Sequence, residues 1–434
     1  MLNPVGEKLS RVPILNRLHL MVPQLCKAEP FNLAQYLVVG ILITSTRWFA
    51  LTSLFEALLL LLIICSSHLR SAYSESLKDV RVLLSLCFVA WVSIAMSWGV
   101  APYADRLEEL WSWRKLLLVP AVFMLFKDVA AKKRMNFVFI LTCAGYMVGS
   151  WLGYLGFVSL DRDPAHFLEN HSTQGVFFSV AALMCLVNLK RSKLNVLGIL
   201  GYLLLIIGFV TNILMVLTGK SSFVFLISVL FAAGMLIGGK YARLLAILLV
   251  VTGMIFLASV ENTRDRLSEA INQLKTVDSP SLSDGSSMGL RVVMWRVTLK
   301  MIADKPFLGT GSGSYKYDYA NHINELVGWQ KFVSDNPHQQ YMHIWAEQGI
   351  IGLVIFLCAI ISWAWRPPDL PKSYYWMAIG ILIGTSLNGF ANGHFSSFSE
   401  GRLFWILMPG LLSSEQTLSL ANLRSKWKSL RFRR

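Results

Sequence analysis

From Leu194 to Leu217 the chain reads LNVLGILGYLLLIIGFVTNILMVL, with Lys190, Arg191 and Lys193 before it and Lys220 after it. No charge interrupts the run. About 20 apolar residues in a helix span the hydrocarbon core of a bilayer, and a segment surrounded by lipid must pair all its backbone N–H and C=O groups internally, which a helix does. Similar runs recur from Phe31 to Leu412. They place membrane helices near 31–46, 48–66, 81–100, 113–126, 137–158, 173–189, 194–217, 221–238, 244–259, 341–365, 374–391 and 402–414, about twelve in all. The fold class read from this is all-α, a polytopic membrane protein.

Composition agrees. Of 434 residues, 55% are hydrophobic and 15% charged, with mean hydropathy +0.54; a soluble domain carries roughly 25% charged residues. The first thirty residues do not form a secretory signal, because Pro13, Arg17, His19 and Pro23 break the apolar run and no small-residue cleavage site follows. Residues 1–30 are read as a cytoplasmic, partly interfacial segment. The net charge of +15 does not point to nucleic acid, because Lys and Arg collect in the inner loops of membrane proteins. With the N-terminus inside, the inner loops carry Arg70, Lys78 and Arg81; Lys127, Lys132, Lys133 and Arg134; Lys190, Arg191 and Lys193; Lys240 and Arg243; Arg366 and Lys372. The basic tail 415–434 falls on the same side. Asp105, Glu108 and Glu109 fall outside. The six cysteines, Cys26, Cys65, Cys87, Cys143, Cys185 and Cys358, show no Cys-x-x-Cys spacing and indicate neither a disulfide framework nor a zinc site.

One loop is long. Residues 260–340 lie outside, between helices 31–259 and helices 341–414. Ser279 to Ser287 (SPSLSDGSS) is a flexible linker, but 289–303 (GLRVVMWRVTLKMIA) sets Leu290, Val293, Met294, Val297 and Met301 at helical spacing, which predicts an amphipathic helix. The loop closes on Asn336-Pro337-His338-Gln339. Asn suits an N-cap, Pro the first helical position, and Gln can complete a capping box. His338 is therefore expected in the first turn of the helix that re-enters the membrane. The helix dipole there disfavours imidazolium, and a neutral imidazole can act as a general base. Gly349 and Gly352, 11 and 14 residues on, return to within about 40° of the His338 face at 100° per residue, where small residues let another helix pack closely.

His338-Gln339, nine residues, then Gly349-Ile350-Ile351-Gly352 resembles the His-[Asn/Ser/Gln]-x9-Gly-x-x-Gly motif of bacterial O-antigen ligases. The resemblance extends to Arg291-x3-Trp295 and to Pro306-Phe307-Leu308-Gly309-Thr310-Gly311-Ser312-Gly313-Ser314-Tyr315, in the order found across the O-antigen ligase/polymerase superfamily. Many helices with one large loop before the third-last is also the ligase layout. Leu353 departs from the family, which continues with Val, Thr or Tyr. Thr218-Gly219-Lys220-Ser221 stands where members carry a Ser-Arg pair, so that basic role falls to Lys220.

The resemblance implies an enzyme of the bacterial inner membrane, with both termini cytoplasmic and the large loop and active site periplasmic. Its donor would be an undecaprenyl-pyrophosphate-linked O-antigen glycan, its acceptor a sugar hydroxyl of the lipid A–core oligosaccharide in lipopolysaccharide biosynthesis. His338 would be the base; Arg291, with Lys220 and Arg266, would hold the pyrophosphate. Besides these lipids no partner, cofactor or metal is expected. The nearest alternatives are an O-antigen polymerase, which tends to have two sizeable periplasmic loops, and a ligase that moves glycan to protein. A lipid or sugar transporter would show two related halves with paired, broken helices; no second copy of the loop is present.

Other residues fit plainer roles. Arg296 and Lys300 share a solvated helix face. Arg264 follows a membrane helix directly, as Arg266 does. Gly309-x-Gly311-x-Gly313 follows no strand and is read as a tight turn whose amides could face an anion. Asp161-Arg162-Asp163 imitates a metal motif but is short. His338 and His343 are five apart, poor joint ligands on one helix. Glu56 and Glu347 look intramembrane, where ionisable residues are functional candidates; internal hydrogen bonding is an equal reading, with Glu347 on the side opposite His338.

The charge alternation yields a test. In a cysteine-free background, Ser283→Cys should be labelled by an impermeant maleimide added outside intact cells and Ser192→Cys should not. Labelling at 192 under those conditions would reverse the topology.

Overall fold

The apolar runs fold as helices. The computed structural model describes residues 14–158, 167–191, 194–217, 220–237, 239–240, 287–324, 326 and 331–418, and no strand occurs among them. In chain order the helices are α1 (Ile14–Thr44), α2 (Phe49–Cys65), α3 (Ser67–Ser76), α4 (Val80–Ala95), α5 (Tyr103–Ser112), α6 (Val119–Leu125), α7 (Val129–Tyr154), α8 (His171–Arg191), α9 (Val196–Met215), α10 (Lys220–Ile237), α11 (Ser287–Asp304), α12 (Tyr315–His322), α13 (Gln340–Ser362), α14 (Lys372–Asn388) and α15 (Ser399–Leu412). Side-chain caps fix several starts. Asp79 accepts from Arg81 N, Asp128 from Ala130 N and Ala131 N, and Asn195 from Gly198 N, each satisfying amides that a helix leaves open.

Every span expected from sequence coincides with helix except 244–259, which lies outside the described residues. Among the described residues, five helices are long and apolar enough to cross a membrane: α4 with the 3-10 turn that extends it to Trp98, α7, α8, α9 and α13. The pair α2 and α3, bent by 102°, would make a sixth. These features are those of a multi-pass membrane protein. The stretch at 113–126 is divided between a 3-10 turn, Arg114–Leu118, and the short α6 with Pro120 in its first turn. No helix boundary falls at residue 30, because α1 runs on from Ile14.

Burial orders the bundle. The membrane-length window of α8 is 78% buried, packed on α10, α9, α14 and α7, whereas that of α9 is 17% buried and turns Leu197, Leu200, Leu204 and Ile207 outward. Glu56 of α2 meets the expectation of internal hydrogen bonding. It accepts from Arg402 Nε at 2.5 Å and Arg114 Nε at 3.1 Å, joining α2, α15 and the 3-10 turn. Removing one member would leave a buried charge unpaired.

The described part of the loop 260–340 is a small packed unit. The expected amphipathic helix is α11. Its Val293, Met294, Val297 and Met301 are buried against Tyr315 and Tyr319 of α12 and Ala346 of α13. Between α11 and α12 runs a ribbon with three glycines at positive φ, Gly309 (67°), Gly311 (91°) and Gly313 (71°). This ribbon enters a break in α13 at Gly349, where φ 66° and ψ −178° leave the helix. Thr310 N donates to Ala346 O (2.8 Å), Gly311 N to Glu347 O (2.9 Å) and Ile350 N to Pro306 O (2.9 Å). The ribbon also reaches α4, through Ser312 Oγ to Val92 O at 2.6 Å.

Gly349 is thus no member of a helix-packing stripe: a Cβ there would collide with the Phe307 carbonyl. Gly352 does pack closely, under the indole of Trp91 on α4. The Thr310, Gly311 and Ser312 amides donate to carbonyls, as a tight turn requires, whereas the amides of Gly313, Ser314 and Tyr315 are directed at the Glu347 side-chain carboxyl.

The break is open to test. Its backbone region is essentially restricted to glycine, at a cost of about 1–3 kcal/mol for other residues. Gly349→Ala should lower the melting midpoint in detergent by at least about 2 °C. Gly145→Ala, where a Cβ meets nothing within 4 Å, should leave it unchanged. Equal midpoints for the two variants would mean that the ribbon does not hold α13.

Candidate active site

His338 is not in the first turn of α13. Its φ is 52°, the one positive value at a non-glycine residue among those described. A left-handed residue cannot propagate a right-handed helix, so the helix starts at Gln340. Gln339 is the cap, its side chain accepting from Met342 N at 2.5 Å. Asn336 closes a turn instead, with Oδ1 accepting from His338 N at 2.7 Å. The indole of Trp295 donates to Pro337 O at 2.9 Å. Strain of this kind costs about 1–3 kcal/mol and persists where its surroundings impose it. Here Asn336, Trp295 and the α13 cap impose it on a histidine whose side chain is exposed.

Arg291 is on α11, one turn before Trp295 and on the same face. It is half-buried and acts on His338 electrostatically. The desolvation of His338 and the Arg291 guanidinium lower the imidazole pKa below its usual value, against the opposing pull of Asp335. Desolvation lowers the Arg291 pKa as well. The imidazole is therefore neutral at pH 7, by a route different from the helix dipole.

Beyond His338 opens a cavity of about 710 Å³. Helix α5 supplies Asp105, Glu108 and Glu109 to its wall, while Tyr103, Leu107 and Trp111 of the same helix are exposed. Glu169 comes from the segment before α8, Asp335 from the end of the loop, Glu347 from α13 and Glu400 from α15. Among the described residues, three histidines, His338, His343 and His394, share the lining, and Lys316 is its single lysine or arginine. Glu347 does not lie opposite His338, because the left-handed turn and the break at Gly349 void a continuous helical projection. It accepts from Tyr315 N at 2.9 Å, and its Oε1 is 3.8 Å from His343 Nε2. His343 stacks edge-on against Tyr315. Among the described residues, no three His, Cys, Asp or Glu side chains are placed to hold one metal ion.

The structure brings His338 and Arg291 together, and it sets Gly349 and Gly352 on the helix behind His338. Lys220 begins α10, and only its backbone is described. Arg266, Arg264, Asp161 and Asp163 lie outside the described residues. Sequence reasoning missed the acid wall and His394. The α5 acids had a local signal, since residues 105, 108, 109 and 112 share a face at helical spacing. His394 had none.

Residues 176–357 match the family model described as O-antigen ligase. A Rickettsia felis protein named "Putative polysaccharide ligase" is 28% identical over 152 residues, 34% of this chain and 35% of that protein. A Rickettsia conorii protein of the same description is 27% identical over 130 residues, 29% of this chain and 30% of the relative. The chain thus spans about a third of the length of these relatives. The family match runs from α8 through α11, Arg291, the ribbon and His338 into α13, so the residues of the candidate site on α11, the ribbon and α13 fall inside the stretch that is similar to O-antigen ligases.

Proposed function

We propose that the protein is an O-antigen ligase, moving a glycan from undecaprenyl pyrophosphate to a sugar hydroxyl of lipid A–core at the periplasmic face of the inner membrane. The observation that carries this reading is the placement of His338, an exposed residue that lines an acid-walled cavity and lies within electrostatic reach of the Arg291 guanidinium. A base for this reaction needs an anion holder on one side and room for a hydroxylated acceptor on the other. The family match and the names of the Rickettsia relatives support the same chemistry.

In this mechanism His338 takes the proton of the acceptor hydroxyl. The oxygen forms a bond to the anomeric carbon, the bond from that carbon to the pyrophosphate oxygen breaks, and undecaprenyl pyrophosphate leaves from the opposite face, with inversion. Arg291, with Lys220 and Arg266, stabilises the charge that develops on the leaving group. An arginine fork fits phosphate oxygens. The donor ester supplies the driving force, so no nucleotide is consumed and no metal is required.

The purified protein should transfer glycan to lipid A–core in detergent, and a preference for another glycan chain or a protein as acceptor would favour the polymerase or protein-ligase alternatives. His338→Ala should lose transfer by about 10²–10⁴-fold while still inserting and still binding the lipid-linked donor. Arg291→Ala should weaken donor binding as well as turnover. A folded His338→Ala protein with near-wild-type transfer would remove the base from the mechanism.

The same pairing fixes a pH dependence. A base works when deprotonated, so kcat at saturating donor should fall as pH drops through the His338 pKa, below the usual value of about 6.5. In Arg291→Gln the lost repulsion raises that pKa, and the acidic limb of the profile should move to higher pH. A limb that stays in place would show that Arg291 does not act on the base.

A further inference from the structure

We infer that the acid-walled cavity is the subsite for the acceptor sugar, that it takes neutral or amine-bearing sugars rather than anionic ones, and that His394, oriented by Glu400, accepts a hydrogen bond from one sugar hydroxyl there. The sugar's role as acceptor rests on the reading above.

Charge is the first argument. Among the described residues, six carboxylates besides the deeply buried Glu347, and one lysine, line the cavity. Ionised carboxylates only accept hydrogen bonds. Hydroxyl and ammonium groups therefore suit this wall, whereas a sugar carrying phosphate or carboxylate meets repulsion that is strengthened by partial exclusion of water. The pyrophosphate of a donor belongs with Arg291, which is not among the described residues that line the cavity.

His394 is the second and independent argument. It lines the cavity yet is only 4% exposed. Its Nδ1 faces Glu400 Oε1 at 3.6 Å, and its Nε2 has no hydrogen-bond partner among the described residues. A buried polar atom left open calls for an explanation, and a missing ligand is one. With its Nδ1 proton directed at the carboxylate, the other ring nitrogen is left as an acceptor. A sugar hydroxyl would complete it.

The histidine is held in readiness. Glu400 accepts from Thr173 Oγ at 2.7 Å and from Ser397 Oγ at 2.6 Å. The buried Lys115 donates to the carbonyls of Ser396 and Ser397, each at 2.5 Å. Gln340 Oε1 accepts from Phe395 N at 3.1 Å and Ser396 N at 3.3 Å. Gln340 is two residues from His338, so one side chain ties the loop of His394 to the turn of the proposed base. This suits a specificity residue that sets the acceptor against the base without itself moving a proton.

The test uses the full-length protein in detergent with three probes: a neutral hexose oligosaccharide, its counterpart ending in glucosamine, and its counterpart ending in a uronic acid. The wild-type protein should bind the first two by saturation-transfer NMR and bind the third at least tenfold more weakly. His394→Ala should lose saccharide binding and raise the acceptor KM about tenfold or more. Its kcat should stay within about twofold and its donor affinity should not change, which a merely structural defect would not produce. His394→Gln, which restores an acceptor atom, should recover part of the loss. His338→Ala should still bind the neutral probe. If the wild-type protein binds it and His394→Ala does not, yet no glycan is transferred to any acceptor, the subsite stands and the ligase reading falls. Wild-type binding retained in a folded His394→Ala protein, no saccharide binding by the wild type, or equal affinity for the uronic probe would each overturn the inference.

Discussion

The seating of the Gly309–Gly313 ribbon in the break of α13 is the constraint on which the site depends. Three glycines take positive φ so that the chain can pass against Glu347, Gly99 and Asp105 without side chains, and Gly349 leaves the helix to admit it. Hydrogen bonds from Thr310, Gly311 and Ile350 close the joint, and Gln348 Nε2 reaches Ser312 Oγ at 3.0 Å. Each such bond contributes about 0.5–1.5 kcal/mol. The ribbon connects α11 to α12, so its seat also fixes the height of both helices over the bundle. Trp295 of α11 then reaches Pro337 and imposes the left-handed turn at His338. The conformation of one histidine is set by contacts that begin in the middle of a membrane-length helix.

Charge is separated around that histidine. Arg291 acts on it from α11, and the acids gather in the cavity that it lines. Many of these acids have partners in the protein: Asp105 with Tyr317, Glu109 with Trp113, Glu169 with Ser399, Glu347 with Tyr315 N. Such bonds hold the carboxylates in place while leaving further lone pairs toward the cavity. A wall of this kind offers many acceptors to a polyhydroxylated molecule at little cost in rearrangement.

Local patterns in the sequence carried much of the fold. Apolar length located the helices, and the spacing of Val293, Met294, Val297 and Met301 identified the face that α11 buries. The four-residue step from Arg291 to Trp295 placed both on one side. Local pattern was misleading at the loop's end, where Asn336-Pro337 has the form of a helix start. The cap passed to Gln339 because Trp295, forty-odd residues away in the chain, holds the intervening turn. Gly349 likewise has the form of a packing glycine, and only its meeting with Phe307 gives it another role. The acids and His394 come from five separate segments, and no short window of sequence contains their convergence.

The two halves of the ribbon's seat are made at different times. Val92, Ala95 and Gly99, which receive one side of it, precede it in the chain by about two hundred residues, whereas Glu347, Gly349 and Ile350 follow it. Chains are synthesised from the N-terminus, and earlier elements settle first. As synthesis proceeds the ribbon therefore meets a half-built socket, and it is locked only after α13 has emerged. The His338 turn, lying between the two events, takes its final form last. The turn that carries His338 is thus among the last parts of the protein to be fixed in assembly, after the helices of the N-terminal half have been made.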